Sequence, residues 1–284
     1  MDIGNAIEKL VAGRWIVGAG IKDAVGASAR LNAQGVSAMI NYLGENLSDI
    51  DDVESTVRVY LNLINEIHKR GVDASIAIKA TQIGLTIGIG CAKRNYAKIV
   101  GLARRKGVFI WLDMERHRDV DSVIRLYTGA LGNGMVGICI QARLKRSEGD
   151  IKRLVKAGAI VRLVKGAYKE DGRVSYTSRA AVTQNYLKLM NYLFRHSKEF
   201  MIATHDAGLI REALLLNRSY RRDVTYAMLN GIRNKYAVGL AKRGNKTAIY
   251  LPFGERWLDY AFRRLREEGH LSLLIKSLFE GQGV

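Results

Sequence analysis

The feature that most constrains this 284-residue chain is an alternation repeated eight times, a short apolar run followed by a longer stretch with apolar residues spaced three and four apart. The runs lie near 36–41, 75–80, 107–112, 135–141, 159–165, 200–204, 223–228 and 246–251, and their length and β-branched, apolar content suit buried strands. The stretches between and after them, such as 51–70, 176–194 and 257–267, carry helical spacing. Strands that alternate with helices pair in parallel, and eight such units close most simply into a (β/α)8 barrel. A doubly wound open sheet is the other topology this pattern allows. Its dinucleotide fingerprint is missing, because neither Gly18, Gly20 and Gly26 nor Gly84, Gly88 and Gly90 has the GxGxxG spacing. The expected architecture is a TIM-type barrel over residues 35–284, preceded by a helical cover over 1–34.

The length suffices for one large core, and the 48% apolar and 25% charged fractions are ordinary for a globular protein. No run of about 18 apolar residues could span a bilayer, and the N-terminus lacks the continuous apolar core of a secretory signal, so a soluble, cytoplasmic protein is expected. Cys91 and Cys139 are isolated in apolar surroundings and form no CxxC pair, which suits a reducing interior. HxxxH and HExxH spacings are absent, so no metal is expected. The net charge of +18 raises nucleic acid and anionic membranes as partners. The cations are scattered, with short clusters at Arg104 to Lys106 and at Arg221 and Arg222, and no aromatic-interleaved basic motif appears. A solvated basic surface is therefore expected rather than nucleic-acid binding.

Barrel enzymes build their sites at the C-terminal ends of the strands, and unusual polar residues recur there. Lys79 closes the second run, Asp113 and Glu115 follow the third in WLDMER, and Gln141 ends the fourth. In the fifth, VRLVKGAYKE, Arg162 alternates with apolar neighbours and so points to the opposite face, where a guanidinium must meet an anion, a cofactor or water. Lys165, Gly166 and Ala167 then offer a cation and two small residues suited to a phosphate. Thr204, His205 and Asp206 follow the sixth run, and Tyr250 lies in the eighth. Taken singly, these fit ordinary roles: a snorkelling lysine, an aspartate helix cap, a loop histidine. Together, their charges must pair or face a polar ligand. The last helix sets Tyr260, Arg263, Arg264 and Glu267 on one face and Trp257, Ala261, Phe262 and Leu265 on the other. That is either an exposed barrel helix or, if it crosses the mouth, a carboxylate clamp.

The ordered set SIAIKATQIG, WLDMER, IQARLKR, VRLVKGAYKE, ATHDA, IYLPFGERW and YAFRRLREE closely resembles the proline dehydrogenase family, from about Ser75 to Glu268. The resemblance implies a (β/α)8 barrel with FAD at the C-terminal mouth and the last helix displaced over it. It implies that Arg263 and Arg264 grip the proline carboxylate, that Lys79 lies on the substrate's other side, and that Tyr250 and Tyr260 wall the ring. Asp113 and Arg162 would stand beside flavin and reacting carbon, Arg162 near the flavin N5. Met114, Gln141, Lys165, Gly166, Ala167, Thr204 and His205 would contact FAD. The implied reaction oxidises L-proline to Δ1-pyrroline-5-carboxylate by hydride transfer to the flavin, with a quinone or other electron acceptor downstream and possible peripheral membrane contact. The chain ends soon after the barrel, so a monofunctional enzyme served by a separate pyrroline-5-carboxylate dehydrogenase is expected. It departs from the family pattern at Thr225, Ala227 and Asn230, and THD replaces the more usual THN at Asp206.

Two other classes compete with this reading. A barrel aldolase or lyase would use Lys79 or Lys165 as a Schiff-base amine. A nucleic-acid-binding protein would use the positive charge and show salt-dependent retention without turnover.

Overall fold

A computed structural model describes residues 15–132 and 135–255. Within them, helix α1 (Ile21–Asn32) precedes β1 (Ser37–Tyr42), α2 (Ile50–Arg70), β2 (Ala74–Ile78), α3 (Ile89–Lys106), β3 (Ile110–Leu112), α4 (Val120–Thr128) and β4 (Val136–Gln141). The chain continues with α5 (Ser147–Lys156), β5 (Ile160–Val164), α6 (Arg179–His196), β6 (Glu199–Ala203), α7 (Ala207–Tyr220), β7 (Asp223–Leu229), α8 (Asn234–Lys242) and β8 (Lys246–Phe253). All eight strands pair in parallel in sequence order, and β1 with β8 closes the barrel. The expected TIM-type barrel is the observed one. Tyr260, Arg263 and Arg264, with the rest of the expected final helix, lie outside the described residues.

Strand and helix limits follow from local chemistry. Asp49 starts α2 by accepting hydrogen bonds from the backbone N–H groups of Asp51 and Asp52 at 2.8 and 3.2 Å. Its apolar stripe of Val57, Tyr60, Ile64 and Ile67 packs on the barrel, and Gly71 ends it in the left-handed conformation. The third strand is shorter than its apolar run. Gly107, at φ +69°, caps α3, and the Val108 N–H returns to the Ala103 carbonyl, so the first residues of the run terminate a helix before pairing begins. Helix α6 likewise starts three residues later than its periodicity suggests. Tyr176 bonds the Arg143 carbonyl, tying the segment to the β4 loop, and Ser178 provides the cap.

Alternation along each strand sorts two cores. Val161 and Leu163 in β5 face the helices and are fully buried, as are Ile76 and Ile78 in β2. The barrel interior holds Met39, Ala77, Trp111, Met201, Ala227 and Ala248. A Cβ on Gly137 would stand 2.4 Å from the Trp111 ring, so only glycine lets that indole lie across the interior. Among the described strand residues, Arg162 is the one buried cation in this core.

Candidate active site

Arg162 projects inward from the middle of β5, its backbone flanked by Cys139 on β4 and Met201 on β6. It is 3% exposed. A guanidinium so far from water needs a counter-charge, and Asp113, immediately after β3, supplies one through an ion pair to Nη2. The Met39 sulfur contacts Nη1, while the Trp111 and Tyr250 rings lie 5.5 and 5.7 Å from the guanidinium carbon. The Tyr250 hydroxyl donates to the second Asp113 oxygen at 3.0 Å, so the carboxylate serves β5 and β8 together. Burial is the largest single influence and opposes the arginine's charge, but the Asp113 carboxylate and the neighbouring Cys139 and Tyr250 together outweigh it and raise the group's hold on its proton. Burial likewise pushes the adjacent Cys139 thiol up against the pull of Arg162, keeping it neutral.

Lys79 follows β2 directly and is 8% exposed. Its ammonium points to Asn41 Oδ1 at 3.5 Å, and Asn41 in turn donates to the Ala77 carbonyl at 2.9 Å. Gln141, at the end of β4, donates from Nε2 to the Glu115 carbonyl at 2.8 Å. Its Oε1 is buried without a partner among the described residues, as is Arg162 Nε. Such groups are costly unless a bound molecule satisfies them. Gly166 has φ +105°, and a Cβ there would lie 2.6 Å from Gln141 Oε1, so only glycine lets the turn after β5 pack this closely on the Gln141 side chain. Met114 is buried in the large core cluster, and Ala167 lies half-buried beside Gly166.

Lys165 pairs with Asp206 at 2.7 Å and reaches the Thr183 hydroxyl at 3.3 Å. Asp206 also caps α7 through the Gly208 and Leu209 N–H groups. Partial burial opposes its charge, but the lysine and these N–H groups hold its carboxyl below the usual range. Thr204 accepts the Asp206 N–H at 3.1 Å, which fixes the turn after β6. His205 Nε2 accepts the Leu229 N–H at 3.3 Å, so the imidazole is neutral with its proton on Nδ1. The fold thus sets Lys79, Asp113, Gln141, Lys165, Gly166, Thr204 and His205 at or just after the C-terminal ends of their strands, with Arg162 and Tyr250 inside β5 and β8.

Sequence reasoning missed two partners. The Tyr168 hydroxyl donates to Glu45 at 3.0 Å, from the loop after β5 to the loop after β1, which are opposite strands of the barrel. Glu45 lies in a polar loop with no periodic signal, 123 residues from its partner. Thr81, which holds Glu115, was equally hidden in the turn after Lys79. Among the described residues no three His, Cys, Asp or Glu side chains converge as a metal site requires.

A family model described as "Proline dehydrogenase" matches residues 24–275. The chain belongs to the proline dehydrogenase family. Proline dehydrogenase from Deinococcus radiodurans is 31% identical over 266 residues, covering 90% of this chain and 86% of that one. Proline dehydrogenase 2 of Bacillus subtilis is 28% identical over 263 residues, covering 91% and 87%. Among solved structures, proline utilization A from Bdellovibrio bacteriovorus, inactivated by N-propargylglycine, superposes with a TM-score of 0.83 at 20% identity over 99% of this chain. A Bradyrhizobium japonicum proline utilization A variant gives 0.75 at 20% identity. This chain spans 37% and 30% of those two longer proteins, and at that identity the likeness establishes the shared barrel. Proline dehydrogenases are flavoenzymes.

The buried pair gives a stability test. Asp113→Ala leaves the Arg162 guanidinium without its counter-charge and costs about 3–5 kcal/mol in urea denaturation, whereas Asp113→Ala combined with Arg162→Met recovers most of that loss. Equal losses in the single and double variants would contradict the pairing.

Proposed function

We infer that this chain is an FAD-dependent oxidoreductase that converts L-proline to Δ1-pyrroline-5-carboxylate, the first step of proline catabolism. The observation that carries this reading is the Arg162, Asp113 and Tyr250 constellation buried at the barrel mouth of a proline dehydrogenase family member. The described residues fit a flavin: Gln141 Oε1 and Arg162 Nε are buried polar atoms without partners among the described residues, an acceptor and a donor that a polar ring edge satisfies. On this reading Gln141, Lys165, Gly166, Ala167, Thr204, His205 and Met114 hold the cofactor. FAD, when bound, supplies the acceptor for the hydride leaving the ring carbon next to nitrogen.

The chain's own residues do the rest. Asp113 fixes both Arg162 and the Tyr250 hydroxyl, so the cation and the aromatic wall keep one geometry. Lys79 faces the substrate from β2, and Arg263, Arg264 and Tyr260 complete the capture of its carboxylate and ring from beyond the described residues. Proline must present a neutral amine, and neighbouring cations favour that form by lowering an ammonium pKa. The electrons leave to a quinone or another acceptor, and the imine is the substrate for a pyrroline-5-carboxylate dehydrogenase activity. No observation favours the Schiff-base reading, since Lys165 is ion-paired with Asp206.

The scattered cations of the sequence acquire a pattern in the fold. Each described α-helix carries one to three basic residues in its last turn, from Arg30 in α1 to Lys242 in α8, with Lys69, Arg70 and Arg104 to Lys106 the densest group. Helices run against the strands, so these turns ring the floor of the barrel, opposite the mouth. Each cation also complements its helix dipole, yet the ring as a whole suits an anionic bilayer surface. Among the described residues no helix is long and apolar enough to cross a membrane.

Two measurements test this reading. The purified protein is yellow, and L-proline reduces its flavin band anaerobically while D-proline and hydroxyproline do so poorly; a colourless protein, or a flavin that L-proline leaves oxidised, contradicts the assignment. At low salt the protein sediments with vesicles of phosphatidylcholine and phosphatidylglycerol, but not with phosphatidylcholine alone, and about 0.5 M salt releases it. Failure to sediment at low salt removes the bilayer from the account.

A further inference from the structure

Glu115 has no part in the proposed contacts with cofactor or substrate, yet it is more deeply buried than Asp113 two residues earlier, at 2% against 8% exposure. A carboxylate that far from water persists only where it is held. Its Oε1 accepts the Thr81 hydroxyl at 2.5 Å and its Oε2 accepts the Thr81 N–H at 3.1 Å, so both oxygens clamp one residue. Burial pushes its carboxyl up, and the Thr81 hydroxyl and the nearby Lys79 charge offset only part of that.

Thr81 lies in the single turn Ala80–Gln82 that follows Lys79. Its hydroxyl also accepts the Asn46 N–H at 3.0 Å, and its carbonyl accepts the Leu47 N–H at 3.2 Å. On the other side of the turn, Gln82 Oε1 takes the Lys79 N–H at 3.2 Å and the Tyr60 hydroxyl at 2.7 Å. The Glu115 carbonyl meanwhile holds Gln141. Glu115 thus connects the ends of β2, β3 and β4 and reaches the loop after β1 through Thr81. The charged groups that act on it are Lys79 and Asp113, one attractive and one repulsive.

We propose that Glu115 is a positioning residue for substrate capture: its carboxylate fixes the turn that aims Lys79 into the mouth and supplies the negative charge that balances the ammonium there. This rests on the reading of Lys79 as the substrate-side cation. Glu115 touches neither cofactor nor substrate, so its removal acts through Lys79 and leaves flavin binding intact. Because a buried hydrogen-bonded charge is strong and directional, small losses at the clamp become large losses at the lysine.

The test uses the flavin-loaded enzyme. Glu115→Gln keeps the volume and one acceptor oxygen but removes the charge. It raises the KM for proline about tenfold while kcat and flavin content stay within about twofold of the parent. In a Lys79→Met background the same substitution changes KM less than about twofold, an interaction that a merely structural residue would not show. Thr81→Val, which removes the clamped hydroxyl, reproduces the KM increase and decides the matter if Glu115→Gln does not fold. A lower kcat at unchanged KM, lost flavin, a KM effect that adds in full to Lys79→Met, or an unchanged KM in Thr81→Val overturns the proposal. A parent protein that reduces its flavin with L-proline while these variants match its KM defeats this inference alone; a parent that oxidises no proline defeats the functional reading beneath it.

Discussion

A guanidinium inside a barrel of alanines, methionines and a tryptophan cannot stand alone, and the pairing of Arg162 with Asp113 is the interaction on which the site depends. The pair offers little net stability over an apolar substitute. What it provides is definition. Asp113 must lie where the arginine reaches it, Tyr250 must turn its hydroxyl to the remaining carboxylate oxygen, and the Trp111 ring must cover the cation, which requires the absence of a side chain at Gly137. Residues from β3, β4, β5 and β8 are therefore committed to one arrangement before any ligand arrives. This is the preorganisation that catalysis by orientation and charge requires.

Around that pair the mouth divides into two sectors with different chemistry. On the β2 to β4 side, Thr81, Glu115 and Gln141 form a buried hydrogen-bonded network, with Lys79 buried beside it. On the β5 to β6 side, Lys165, Gly166, His205 and Asp206 are half-buried beside the buried Thr204, and the group is built on turns and a helix N-terminus. The Tyr168 to Glu45 contact spans the two loops that face each other across the opening.

Much of this was legible in the sequence because barrel strands obey period two and their ends are marked by charge. Arg162 between Val161 and Leu163 can only face inward, and the structure puts it there. The eight strands were equally readable, although the third proved shorter because Gly107 and Val108 finish a helix, a capping event that hydrophobicity does not reveal. Asp113, which sequence alone could make a helix cap, is instead a counter-ion, since its two oxygens meet the Arg162 guanidinium and the Tyr250 hydroxyl. The Glu115 clamp and the Glu45 contact were hidden for a different reason. Each joins residues 34 or 123 positions apart, through loops whose spacing carries no periodicity. The charge pattern was hidden too, because helix-terminal cations form a ring only after the helices are arranged around a barrel.

Arg162 Nε is the most direct probe of the account, being buried and without a partner among the described residues. A crystal structure of the flavin-loaded protein measures its distance to the flavin N5. The account predicts hydrogen-bond distance, with Asp113 still paired to Nη2 of the guanidinium. A flavin seated away from β5, with Nε still lacking an acceptor, would contradict it.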